Sequence, residues 1–156
     1  LNPVYLSVPI GELTPNPWNP NEMDDELYRK ARTSIRKFGF IDPITVREFQ
    51  DPMWQIIDGE QRWRAAQDEG LEEVDIANLG VVDDATAEQL TIIFNELHGV
   101  YDPKKMGVLL TQLVISEPLP ELLEVLPFDK AIGLAREDGL NDWQALQRFA
   151  SDWMDR

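Results

Sequence analysis

The stretch "MWQIIDGEQRWRAAQDEG", Met53 to Gly70, changes period in mid-course. "MWQIID" is a short run rich in β-branched and aromatic residues, as strands are, and Arg62 to Asp68 reads as a helix that ends near Gly70. A strand handed to a helix through one glycine implies a layered α/β arrangement. Neighbouring segments repeat the alternation. "YLSVPI" (Tyr5–Ile10) reads as an opening strand, "PITVRE" as a strand ahead of the "FQDP" turn, and "VDIANLGVV" as a strand interrupted by glycine. Between them "TPNPWNPN" holds three prolines and is a loop. A helix is expected from about Met23 to Phe38, with Leu27, Ala31, Ile35 and Phe38 at helical spacing and Gly39 as its stop. "DDATAEQLTIIFNELHG" is a further helix, with Leu90, Ile93, Phe94 and Leu97 as its expected buried stripe. On that wheel Asn95 falls roughly opposite the stripe and Glu96 on its polar flank.

"YDP" (Tyr101–Pro103) is a natural joint, and beyond it every segment has helical period, including the Trp143/Leu146/Ala150/Trp153 face capped by Asn141. The expected organisation is therefore an α/β (α+β) domain over 1–103 and an all-helical extension over 104–156.

An apolar fraction of 43% with five Trp and six Phe in 156 residues is enough for a core. The absence of cysteine excludes disulfides, thiolate chemistry and Cys-ligated zinc. With no apolar run of the ~18–20 residues a membrane span needs, and no leader-like start, a cytoplasmic protein is expected. A net charge of −15 argues against a DNA-coating surface, so nucleic acid is not expected as a partner. The positive charge is concentrated, however. Arg29, Lys30, Arg32, Arg36 and Lys37 share one helix, read as a solvated face, and Arg62 and Arg64 follow the glycine. A local cationic site in an acidic chain suits a small anion such as a phosphate or nucleotide.

Gly59 permits backbone angles closed to other residues, and a helix starting after it points unpaired N–H groups and a positive dipole end at a ligand. Arg62 and Arg64 can add charge-assisted contacts to phosphate oxygens. Glu60 can orient or deprotonate a water, or help hold a metal ion. A purely structural reading of the same residues also exists: Glu60–Arg64 as an i,i+4 pair, with Trp63 and Ala66 in the core.

In order, "VPIGELTPNPWNPN", "SIRKFGFIDPITVRE" and "WQIIDGEQRWRAAQDEGLEEV" resemble the N-terminal domain of the ParB partition proteins and the wider ParB/sulfiredoxin fold, over roughly Val8 to Pro103. The resemblance implies a small mixed sheet with packed helices that binds a nucleotide with magnesium. It places phosphate contacts on Gly59, Arg62 and Arg64 and on the Asn-Pro loop at Asn19 and Asn21. It gives Glu60 a catalytic or water-positioning role, and makes Asn95, with Glu96 beside it, the metal side of the site. Three positions depart from the family's pattern. Gln61 and Asn21 stand where arginine is usual, and Phe94 stands where an acidic residue precedes the motif asparagine. Sulfiredoxin chemistry needs a cysteine, so that branch is implied as a fold only.

Three functions are therefore open. The first is binding of a nucleotide or phosphorylated ligand, with slow magnesium-dependent hydrolysis or phosphoryl transfer. The second is a non-catalytic interaction module that keeps the fold and engages a protein partner, or itself, through the helical extension. The third, ranked last, is DNA binding or cleavage, for which Asp42, Asp58, Asp83 and Asp84 are the available carboxylates, although turn and cap duties account for Asp42, Asp83 and Asp84. His98, the single histidine, is read as a helix-end residue that suits the dipole there.

Overall fold

The computed structural model describes residues 1–19, 22–96, 124–125, 137–141, 144 and 148. The chain divides into two compact units, Leu1–His98 and Gly99–Arg156. The expected extension over 104–156 lies almost wholly outside the described residues, as do Asn21 and His98.

The first unit is a five-stranded sheet with three helices. The elements are β1 (Val4–Pro9), a short 3-10 turn, β2 (Leu13–Thr14), α1 (Asp25–Phe38), β3 (Ile44–Glu48), β4 (Trp54–Asp58), α2 (Glu60–Asp68), β5 (Glu73–Asn78) and α3 (Asp84–Glu96). Strand order is β1-β5-β3-β4-β2. The β1–β5 and β3–β4 pairs are antiparallel, whereas β3–β5 and β2–β4 are parallel. This is the mixed sheet with packed helices that the resemblance implies.

Alternation along the strands sends side chains to two faces. Ile44, Val46, Ile56, Val74 and Ile76 join Val8, Leu13 and Ala66 in one core, against which Ile35 and Trp63 pack. The adjacent Ile57 points the other way and meets Val82 and Ala87, with Trp18, Leu90 and Phe94 around them. The sheet therefore carries α1 and α2 on one side and α3 on the other, and β4 feeds the turn that begins α2.

Several local expectations shift. Helix α1 starts at Asp25 because Asp24 caps it, accepting the Leu27 N–H at 2.8 Å. Its expected stripe is not fully buried: Phe38 is 56% exposed, and no α1 residue is buried. The helix is instead tied to α2 by polar contacts, Arg32 and Arg36 to Glu69 and Tyr28 to Asp68. Helix α2 begins at Glu60, two residues before the expected start, which puts the acidic residue in its first turn. Helix α3 presents Ala87 and Thr91 to the sheet, while Ile93 is 42% exposed. Small side chains let α3 sit close, and the Thr91 hydroxyl is satisfied by donating to the Ala87 carbonyl at 2.9 Å.

Candidate functional site

Strand β4 ends at Asp58, and Gly59 turns the chain with φ 109° and ψ 18°, a left-handed conformation open to glycine at little cost. Helix α2 then starts at once. The Trp63 N–H bonds back to the Gly59 carbonyl at 3.0 Å, so the N–H groups of Glu60, Gln61 and Arg62 precede the first intrahelical bond. They lie at a cleft of about 260 Å³ whose lining includes Asn19, Asp58, Glu60, Gln61, Arg62 and Asn95. The loop, the glycine turn and α3 thus bring five expected site residues, Asn19, Gly59, Glu60, Arg62 and Asn95, to one cavity.

Their neighbours define what each can do. Glu60 is buried, and its two oxygens are held separately. Asn19 Nδ2 donates to Oε2 at 3.0 Å, and Arg64 Nη2 lies 3.5 Å from Oε1. Arg62 folds back beneath the turn: its Nη2 donates to the Pro43 carbonyl at 2.9 Å, and Asp42 and Asp58 lie 3.5 and 3.8 Å away. Its Nε is buried with no protein acceptor. A Cβ at Gly59 would come within 2.8 Å of Arg62 Nη2, so the glycine also makes room for this guanidinium. Arg64 is 54% exposed and lines a neighbouring cleft with Tyr28, Gln61 and Asp68, meeting the first cleft through Glu60.

Asn95 was expected on the face opposite the buried stripe. Because α3 buries Thr91 instead, Asn95 is half-buried at the cleft, with its Nδ2 donating to the Thr91 carbonyl at 2.8 Å. The Glu96 side chain lies outside the described residues. Two supporting residues carried no signal in the sequence. Asn16 is buried and donates to Thr91 Oγ1 at 2.7 Å, while its Oδ1 accepts the Trp18 N–H at 2.7 Å. This fastens the Asn-Pro loop to α3. Its asparagine-proline repetition marks a turn, but nothing local points to a partner 75 residues away.

The remaining carboxylates have other work. Asp83 caps α3, and the hydroxyl and N–H of Thr86 hold its pKa below the ordinary carboxylate range. Asp84 pairs with Arg47 at 2.8 Å. Among the described residues no group of three His, Asp or Glu side chains is placed to hold a metal ion, and no helix is long and apolar enough to cross a membrane.

The family model for the ParB N-terminal domain matches residues 2–96. A "Probable chromosome-partitioning protein ParB" of Mycobacterium leprae is 42% identical over 73 residues, 44% of this chain and 22% of the relative. A "Nucleoid occlusion protein" of Bacillus thuringiensis is 34% identical over 97 residues, 55% of this chain and 33% of the relative. The match thus spans a third or less of these curated relatives. Among solved structures, the C-terminally truncated chromosome-partitioning protein ParB of Caulobacter crescentus, complexed with CTP-gamma-S, superposes with a TM-score of 0.70 at 28% identity. That match covers 80% of this chain and 71% of that one. The Caulobacter protein has also been solved complexed to the centromeric parS site.

These findings correct one expectation, that nucleic acid is not a partner. The relatives are named for work on the chromosome and the nucleoid. Whole-chain charge does not decide the matter, since DNA contact depends on local cationic surface. The charge of this chain also says nothing of the two thirds or more of each relative outside the match. With the glycine turn, the mixed sheet and a family model that spans β1 to α3 all in agreement, the chain belongs to the ParB N-terminal domain family.

Proposed function

We propose that this domain binds a nucleoside triphosphate, with cytidine triphosphate the first ligand to test, in the cleft at the start of α2. The observation that carries the reading is the left-handed Gly59 turn. It opens the first N–H groups of α2 onto a cavity shared by Asn19, Glu60, Arg62 and Asn95. The CTP-gamma-S complex of the Caulobacter neighbour supports the choice of nucleotide. The α2 N–H groups and Arg62 receive phosphate oxygens, and Asn19 closes the loop side. Arg64 acts by bracing Glu60.

Magnesium fits as an ion carried by the phosphates. Such ions take one or two carboxylates with phosphate oxygens and waters, and Glu60, Asp58 and Asn95 are the donors at this cavity. When bound, it neutralises charge on the phosphates. Glu60, held by Asn19 and Arg64, has lone pairs left to orient a water and accept its proton in a slow hydrolysis. For the protein that carries this domain we propose chromosomal DNA as a partner and the cytoplasm as the compartment.

Isothermal titration of CTP, ATP, ADP and GTP with magnesium tests the reading. Binding of CTP to the wild type, weakened about tenfold or more by Arg62→Ala, is the expected result; a charge-assisted contact to phosphate is worth roughly that much. Absence of heat with every nucleotide overturns it and leaves the interaction-module reading in place.

A further inference from the structure

The cleft has walls of two origins. Gly59, Glu60 and Arg62 ride on β4 and α2, whereas Asn19 belongs to the Asn-Pro loop and Asn95 to α3. Something must hold the second pair in register with the first. We infer that Arg47 is the positioning residue that does so, and that through it the domain sets its affinity for nucleotide. This affinity claim rests on the nucleotide reading above.

Arg47 points from β3 to the α3 side of the sheet and is 3% exposed. Its Nε donates to Gln55 Oε1 at 2.7 Å, which anchors the guanidinium to β4, the strand that delivers Gly59. Nη1 donates to the Val82 carbonyl at 2.9 Å and Nη2 pairs with Asp84 at 2.8 Å, so the same group grips the start of α3. The guanidinium also lies over two rings, 5.4 Å from the centroids of both Trp18 and Phe49. Trp18 is in the loop that carries Asn19, and its N–H is held by Asn16, which is bonded to Thr91 of α3. One planar cation thus joins β4, α3 and the loop, three of the elements around the cleft.

The chemistry requires arginine. A buried charge is costly unless its donors are matched, and an apolar residue is often as stabilising at such a position. What an apolar residue cannot do is fix three elements by directed bonds. Lysine carries the charge but lacks the flat face and the fork, so it can keep Asp84 while losing Gln55, the Val82 carbonyl or the stacking.

The test compares Arg47→Lys with wild type by two readouts. The first needs no nucleotide: the NMR signals of the Asn19 side-chain amide, which donates to Glu60. Arg47→Lys is expected to move them toward the positions they take in Glu60→Ala, where the acceptor is gone, in a protein that still unfolds cooperatively. The second is a double-mutant cycle on CTP affinity. Arg47→Lys weakens binding about fivefold or more, and Asn19→Ala then adds less than about twofold in that background, because coupled residues are not additive. Unmoved Asn19 signals, or an Asn19→Ala effect of equal size in both backgrounds, would show Arg47 to be structural only and overturn the inference. Should Arg47→Lys fail to fold, Asp84→Ala is read the same way, since its side chain is 74% exposed and its loss spares the core. If the wild type binds no nucleotide, the functional proposal fails and the amide signals alone decide the role of Arg47.

Discussion

Two glycines with positive φ, Gly59 at ψ 18° and Gly39 at ψ −179°, sit in different backbone regions and face different neighbours. Gly59 has φ +109° with the Arg62 guanidinium 2.8 Å from where a Cβ would sit, whereas Gly39, which ends α1, has φ +88° and nothing within 4 Å. Gly39→Ala meets no neighbour, but its φ and ψ lie in a region essentially open to glycine alone, so backbone strain by itself is expected to cost about 2–3 kcal/mol. Gly59→Ala carries the smaller strain of a left-handed residue, about 1 kcal/mol, together with displacement of Arg62 from the Pro43 carbonyl, and about 2–3 kcal/mol in all is expected. Urea denaturation of the two variants measures these losses, and a loss of only about 1 kcal/mol at Gly59 would mean that Arg62 yields without cost. Arg64→Ala belongs beside them. Its ion pair with Glu60 is half exposed, so stability should fall by less than about 1 kcal/mol. At this scale the sequence is a good guide to residues that act on their near neighbours, such as Gly59 and Glu60. It is silent on the contacts of Arg47 with Val82 and of Asn16 with Thr91, which span 35 and 75 residues and leave no spacing to read.

Among the elements, the α1–α2 contact is the one whose strength should follow pH. Glu69, at the end of α2, accepts from Arg36 and Arg32, and these hydrogen bonds lower its pKa from 4.5 to about 2. A folded-state pKa below the unfolded value means that stability from this carboxylate is fully present above about pH 4.5. It is lost as pH falls toward about 2. Urea midpoints recorded across that window should fall more steeply for wild type than for Glu69→Gln, and parallel curves would exclude the pair as a contributor. This contact also explains an imperfect reading of helix faces. Apolar spacing located α1 well, but the helix is held to its neighbour by Arg–Glu and Tyr–Asp contacts, so Phe38 is left open. In α3 the error ran the other way. A threonine satisfied within its own helix and by Asn16 went inside, and the more apolar Ile93 stayed out. Hydrophobicity ranks residues, whereas burial also depends on whether a polar atom finds its partner.

For the molecule as a whole, a formal charge of −15 meets a proposed ligand that is itself a polyanion. Two electrostatic terms of different range then compete. The repulsion between the protein's overall field and the nucleotide acts over tens of ångströms at low salt and is screened as the Debye length falls from about 30 Å at 0.01 M to about 8 Å at 0.15 M. The attraction at the start of α2 comes from N–H groups and a guanidinium in direct contact, which salt screens much less. Raising sodium chloride between those limits at fixed magnesium should therefore leave CTP affinity level or improve it by up to a few fold, a size set by kilocalorie-scale surface electrostatics. Titration calorimetry at both ionic strengths measures this. A site dominated by a broad cationic surface behaves oppositely, losing affinity steeply as counterions compete. A steep loss would mean that the exposed arginines and lysines of α1 bind the phosphates, and that the cleft at Gly59 does not.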